Sequence, residues 1–412
     1  MIRRLPLIAL VAACGVSSCG ATMTMIALPW FVLSRTGSGL QTGAVAAAET
    51  LGLVLSVVLV GPLLDRYGAW RGSIMADLAA SVAVIAIPAA EALDLLSLPV
   101  LVVLVFGIGA GRAPSRSAKQ VLLPAVLAAT GVRVERGTSA EESALRTGDL
   151  LGAPLGGILI GLIGPTWVLL ADGAALLTAA ALVGLLVRPA AAAGRAPAGG
   201  AHGYLRELKQ AAEHFRRDRL LLVIGVQCAA LNALTVGLLS VLLPAYGLTV
   251  WHDSTLVGVL IAASSGASIL GTALYGWLGD GGRRWRVFAI CSLVSGAPVF
   301  LAVAADPHPV LLVLVVSACM MANGPINPVI AAVKYARVPE GLRGRVFAAF
   351  HASANAAMPV GLLLAGVLLD AVGPTAAVLV LGGLCLLVSL WPFVFRVWRE
   401  LDEPERLPST VG

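Results

Sequence analysis

Charge is what this sequence has least of. Asp, Glu, Lys and Arg make up 12% of its 412 residues against 58% hydrophobic, and mean hydropathy is +0.93. A soluble domain carries about a quarter of its residues charged, so that class is excluded and an integral membrane protein is expected. Cysteine is nearly as sparse. The six, Cys14, Cys19, Cys228, Cys291, Cys319 and Cys385, lie inside apolar runs without ligand spacing, which excludes a disulfide framework and leaves them as small buried hydrophobes. Of the five histidines, His202, His214, His252 and His308 fall in loops and His351 near a span end. No His-Glu metal pattern exists, so no metal, cofactor or enzymatic activity is expected. No cleavable signal peptide is expected either, because the first apolar run, Leu5 to Leu33, is too long for a signal h-region and reads as a span. The net charge of +6 is distributed as membrane topology requires, and no nucleic-acid partner is expected.

What is present is a succession of apolar runs. A span needs roughly 20 mostly apolar residues, and twelve windows qualify: 5–33, 40–62, 73–92, 98–123, 139–162, 165–187, 219–245, 254–278, 286–304, 309–334, 346–370 and 374–396. Assigned to the resulting loops, the basic residues fall on one side, with Arg35 alone in an opposite-side loop. That asymmetry places both termini and the central linker in the cytoplasm and the chain in the plasma membrane of the cell, the inner membrane where there are two. The expected organisation is a six-helix half at 1–187, a linker at 188–218 with a short amphipathic helix, a second six-helix half at 219–398 and a tail at 399–412. The fold class is all-α, integral to the membrane.

Between spans 2 and 3 lies Gly61-Pro62-Leu63-Leu64-Asp65-Arg66-Tyr67-Gly68-Ala69-Trp70-Arg71. Its charges are costly in hydrocarbon, so it is expected as a turn at the membrane surface. Gly61, Asp65, Arg66, Gly68 and Arg71 resemble the loop signature of the major facilitator superfamily, with Ala69 at a position usually basic. After span 8, Gly276 to Arg284 echoes this stretch around Asp280, one residue shorter between the aspartate and the next glycine. Two six-helix halves carrying one hinge at one place are the mark of a parallel-repeat transporter.

In span 5, Ala144, Gly148, Gly152 and Gly156 recur every fourth residue, a smooth face that lets another helix approach closely. Similar ladders run through span 2 (Ala44, Ala48, Gly52, Ser56), span 8 (Ser264, Ser268, Thr272, Gly276) and span 11 (Ser353, Ala357, Gly361, Ala365). The superfamily resemblance implies that these four helices form the seam between the halves. With Val338 to Val346, Pro114 to Pro124 and Arg146 to Gly157, the chain is similar to the bacterial branch of siderophore exporters and macrolide-type drug efflux pumps.

An ionisable residue inside a span costs about 2.5–3.5 kcal/mol even on lenient scales and is a functional-site hypothesis by default. Arg112, Arg116 and Lys119 share one face of span 4, and Glu142, Arg146 and Asp149 one face of span 5. The two stripes are expected to neutralise each other, with Arg112, Arg116, Glu142 and Arg146 as a buried network. Arg116, Lys119 and Glu142 lie near the cytoplasmic ends, where snorkelling is the simpler account. Glu49 stands alone near the middle of span 2 with no cation within four residues. It is the first candidate for carrying a proton, since a carboxyl in a low-dielectric site can load and release one near neutral pH. Asp149 is the alternate, and packing between helices the plainer role for either. Asp172 reads as structural. The resemblance implies that spans 1, 4, 7 and 10 line a central cavity, to which they bring Ser17, Ser18, Thr22, Gln227, Asn232, Asn323 and Asn327.

The expected function is a secondary transporter: a proton-coupled antiporter exporting a small amphipathic molecule by alternating access, acting as a monomer in the bilayer. A uniporter or importer of a metabolite shares the fold, and a transport-dead sensor or scaffold is a rival from another class.

Overall fold

The computed structural model describes residues 4–187, 218–279, 281, 283–338 and 343–403; side chains at 57–66, 344, 345 and 348 are outside that description. The long apolar runs become helices because, in hydrocarbon, a helix satisfies every backbone group within its own segment. In chain order these are α1 (Leu5–Thr36), α2 (Gly39–Tyr67), α3 (Ala69–Ala92), α4 (Leu98–Thr130), α5 (Val134–Ile163), α6 (Pro165–Leu186), α7 (Arg219–Thr249), α8 (Ser254–Leu278), α9 (Arg284–Ala305) and α10 (Pro309–Arg337). α11 combines Arg343–Asn355 with 358–372, and α12 spans 374–389, the two separated at Gly373, whose φ of 78° only glycine takes without strain. Ten described stretches are long and apolar enough to cross a membrane. One of these, Ala349–Val394, holds both α11 and α12, and α2 adds 29 residues of helix, so the fold has twelve spans. A 3-10 segment, Arg396–Asp402, follows.

Several helix ends are written locally. Gly37 and Gly131 close α1 and α4 in the left-handed region, their N–H groups donating to Leu33 O and Leu127 O. Prolines stand in the first turns of α1, α4, α6 and α10, where no N–H is missed. Asp218 caps α7, accepting from Leu220 N and Leu221 N.

The turn between spans 2 and 3 is shorter than its sequence suggests. α2 stays helical through Tyr67, and the chain reverses at Gly68 alone (φ 77°) before α3 begins at Ala69. A span that has left the membrane need not stop being helical, so polar residues extend it until a glycine allows the reversal. Arg71 therefore falls in the first turn of α3, exposed. The side chains at Gly61, Asp65 and Arg66, all of Asp280, the linker residues 188–217 and the tail residues 404–412 lie outside the described residues.

Packing divides the chain into two units, Met1–Ala198 with Leu243–Ala262, and Gly199–Leu242 with Ala263–Gly412. In the first, Leu10, Leu122, Val126 and Val183 gather α1, α4 and α6 into an apolar cluster. At the other end of that unit, Arg35 pairs with Glu91 at 2.8 Å and Thr166 donates to Glu91 at 3.3 Å, so the α1–α2, α3–α4 and α5–α6 connections meet at one end. In the second unit, Leu221, Ile224, Phe288, Val333 and Phe350 surround Trp398, which stacks on Phe288 at 5.2 Å. Arg337 pairs with Asp218 at 3.2 Å and Glu400 at 3.0 Å, fastening the 3-10 segment to the starts and ends of α7 and α10.

The internal repeat is visible in the contacts between helices, not only in the hinge sequence. Gly109 of α4 lies against Glu49 O and Leu53 N of α2; Gly324 of α10 lies against Ser268 O and Thr272 N of α8. Trp70 Nε1 donates to Val183 O, and Trp285 Nε1 to Pro392 O. Gly173 meets Ile85 as Gly382 meets Phe300, and Gly152 meets Cys19 O as Gly361 meets Ala233 O. Each helix pair keeps a constant step in residue number, so the two units can be read position against position.

These contacts also show which helices the small-residue ladders approach. The α5 ladder packs on α1 (Gly148 on Gly15, Gly152 on Cys19, Gly156 on Met23), Gly52 of α2 packs on α4, Gly361 of α11 on α7, and Thr272 of α8 donates to Gly324 O of α10. Small residues serve close approach of neighbours inside each unit. The adjoining face of α5 meets the start of α8, where Ser254 Oγ donates to Gly157 O at 2.8 Å.

Candidate functional site

The site is built in the first unit from α1, α2, α4 and α6. A Cβ at Gly109 or Gly52 would overlap backbone atoms across the α2–α4 contact, and that close approach sets Arg112, one turn past Gly109, against Glu49. Arg112 Nη1 lies 3.3 Å from Glu49 Oε1 and 3.5 Å from Ala21 O; Arg112 Nη2 donates to Asp172 Oδ2. Thr24 of α1 donates to the same oxygen at 2.6 Å. Gly20, one turn earlier on α1, leaves the room that Asp172 Oδ1 occupies. Asp172 is fully buried, while Glu49 is 22% exposed and Arg112 14%. Arg112 Nε and Asp172 Oδ1 have no partner among the described residues.

About two turns along α4, Lys119 makes a second cluster of a different kind. Its ammonium lies 2.9 Å from Asp77 Oδ2 of α3 and donates to Ser115 at 2.9 Å and to Ser17 at 3.3 Å, while Ser115 donates to Asp77 Oδ1. One cation meets one anion, and all three ammonium protons have acceptors. The first cluster has two carboxylates for one guanidinium and remains one negative charge in surplus when all are ionised. That difference separates a closed ion pair from a cluster whose charges do not balance.

The other charges sort themselves differently from their spacing. Arg146 pairs with Glu142 on its own helix at 2.8 Å, both more than half exposed, and Arg116 is exposed as well. The expected buried network of Arg112, Arg116, Glu142 and Arg146 is therefore corrected: Arg112 alone belongs to one, and its partners come from α2 and α6. Asp149 accepts from Ser18 and from Thr22 (3.2 Å) on α1 rather than pairing with Arg146. The premises that ranked the two acids are thus exchanged. Glu49, solitary in sequence, has a cation in space; Asp149, beside a cation in sequence, has hydroxyls.

Asp77, Glu141 and the partnership of Asp172 were missed. Asp77 carries the same signal as Glu49, a lone acid in an apolar span. Glu141 is buried, accepts from Cys14 at 3.9 Å and faces Arg116. Among the cavity candidates, Ser17 is taken up by Lys119, and Asn232 donates to Ala354 O at 2.9 Å, tying α7 to α11. Gln227 is fully enclosed with neither amide atom partnered among the described residues, Asn323 is half-buried and Asn327 exposed. Among the described residues no three His, Cys, Asp or Glu side chains gather as a metal would need.

Comparison with known proteins agrees with this architecture. The profile of the Major Facilitator Superfamily matches residues 10–250 and 227–411. The multidrug efflux pump Tap of Mycolicibacterium fortuitum is 29% identical over 410 residues, covering 97% of this chain and 98% of that protein. Tap of Mycobacterium tuberculosis is 29% identical over 401 residues, covering 94% and 92%. Among solved structures, the nucleoside transporter NupG superposes with a TM-score of 0.76 at 13% identity, covering 95% of this chain and 99% of that one. A bacterial homolog of the human lysosomal transporter Spinster, inward-facing and unoccupied, gives 0.73 at 13% identity, covering 99% of each. At such identities the structural likeness speaks for the fold.

Proposed function

Since the chain belongs to the Major Facilitator Superfamily and is a transporter rather than an enzyme, we propose that it exports small amphipathic, drug-like molecules in exchange for protons. Arg112, Glu49 and Asp172 form the proton site. The observation that carries this reading is the charge count: two carboxylates share one guanidinium in a buried place. Thr24 and Arg112 hold Asp172 as the fixed anion. Glu49, with partial access to solvent and the longer contact to Arg112, is the group that takes and gives up the proton. Protonation releases Glu49 from Arg112, and changing that pairing biases a rocking motion of the two halves, as alternating access requires. The length-wide similarity to multidrug efflux pumps supports export and a drug-like solute. The chain acts as a monomer in the plasma membrane, with both termini cytoplasmic.

The test is proton-gradient-driven transport in proteoliposomes, using a compound to which the wild-type protein confers resistance, between about pH 6 and 8. Glu49→Gln keeps size and hydrogen bonding but cannot ionise. Uphill transport is expected to vanish and lose its pH dependence, while exchange without a gradient survives. A Glu49→Gln protein that still concentrates substrate overturns the assignment, and loss of coupling in Asp149→Asn alone moves the role to Asp149.

A further inference from the structure

The repeat register exposes one cation whose counterion is gone. Lys119 of α4 corresponds to Lys334 of α10 by the step that relates Gly109 to Gly324. The step relating Trp70 to Trp285 and Ile85 to Phe300 places Ser292 where the first unit has Asp77. The step relating Gly152 to Gly361 places Phe350 where the first unit has Glu141. The hydroxyls that Lys119 meets are replaced as well, Ser115 by Ile330 and Ser17 by Leu231, while Cys14 of α1 is matched by Cys228 of α7. Around Lys334, therefore, the acid that pairs with Lys119 is replaced, and so is the nearby position of Glu141, while the base remains.

Lys334 is half-buried. Its ammonium lies 4.9 Å from the Phe347 ring centroid and 4.7 Å from that of Phe350, and no carboxylate reaches it among the described residues. Tyr335 packs edge-on to Phe347 at 5.1 Å, and the Arg343 guanidinium covers Tyr335 at 5.5 Å, which holds the aromatic wall in place. Phenyl faces attract a cation but carry no net charge. The site offers a positive charge at the rim of an apolar surface, a match for a molecule with one negative group on an apolar body.

We propose that Lys334 and the partly buried Phe347, backed by the buried Phe350, form a binding subsite for an amphipathic anion, with the carboxylate or phosphate on the ammonium and the apolar body against Phe347. The site lies wholly in the second unit and does not depend on the proton reading, so a binding measurement without a gradient tests it alone. The probe is pyrenebutyrate, with the uncharged pyrenebutanol as control, titrated by fluorescence into full-length protein in phosphatidylcholine nanodiscs. Wild type is expected to bind the acid about tenfold more tightly than the alcohol, the size of one charge-assisted contact. Lys334→Met removes that preference and Lys334→Arg keeps it, and each variant is checked for an unchanged thermal midpoint. Equal binding of acid and alcohol by wild type, or a preference that survives in Lys334→Met, overturns the proposal. Adding phosphatidylglycerol tells the sources apart. Displacement beyond that seen with Lys334→Met assigns the site to a lipid headgroup; none assigns it to a soluble anion, and the site stands under both.

Discussion

On α4, Arg112 and Lys119 stand about two turns apart, and the number of acids each meets decides its use. Lys119 is 2% exposed and its partner Asp77 is fully buried, so removing one strands the other. Asp77→Ala is expected to cost about 3–5 kcal/mol, seen as a lowered unfolding midpoint in detergent, and adding Lys119→Met should return most of the loss. If single and double variants melt alike, the ion pair is not what Asp77 contributes. Arg146→Ala, by contrast, removes an exposed pair within one helix, worth about 0.3–0.5 kcal/mol. Glu49 and Arg112 were legible as charges that a span would not carry idly. Their pairing was not, because spacing along one helix shows which charges share a face and never which helix that face meets. Glu142 and Arg146 share a face as their spacing says, yet the face is open; Arg112 reaches Asp172, 60 residues away.

At the scale of the helix pair, α1 with α5 and α7 with α11 are set by backbone approaching backbone. A Cβ at Gly361 would overlap Ala233 O, whereas a Cβ at Gly383 of α12 meets nothing within 4 Å. Gly361→Ala must therefore push α7 from α11, costing about 1–3 kcal/mol and lowering transport. Gly383→Ala should be neutral or gain about 0.5–1 kcal/mol from lost backbone freedom. Thermal unfolding of the two variants side by side checks this, and equal midpoints would show that α7 and α11 tolerate separation. The ladders were readable as close-contact faces, but a small-residue face says only that a helix comes near, and nothing in Ala144 to Gly156 says that it is α1. The hinge length was missed for a related reason, since polarity marks where a span leaves the membrane and not where its helix ends.

For the whole molecule, the two units share a backbone plan and differ in chemistry. Glu49, Arg112 and Asp172 correspond by the repeat steps to Ser268, Asn327 and Leu381, so the fold was duplicated while the buried network stands in one copy. Twelve spans and the repeat were legible because bilayer thickness imposes a length on each run; the asymmetry of the network needed the helices placed against one another. Orientation rests on the arginines. Arg133 and Arg136 stand by the α4–α5 connection and Arg283 and Arg284 by the start of α9, while Arg35 lies at the other end of the first unit, tied to Glu91. Basic residues stay on the cytoplasmic face. In a cysteine-free background, single cysteines at the exposed positions Val134 and Leu278 should react with a membrane-impermeant maleimide only after permeabilisation. Cysteines at Leu95, in the α3–α4 connection, and at Val310, in the first turn of α10, both exposed, should react in intact cells. The reverse labelling would invert the molecule, and with it the direction proposed for proton uptake at Glu49.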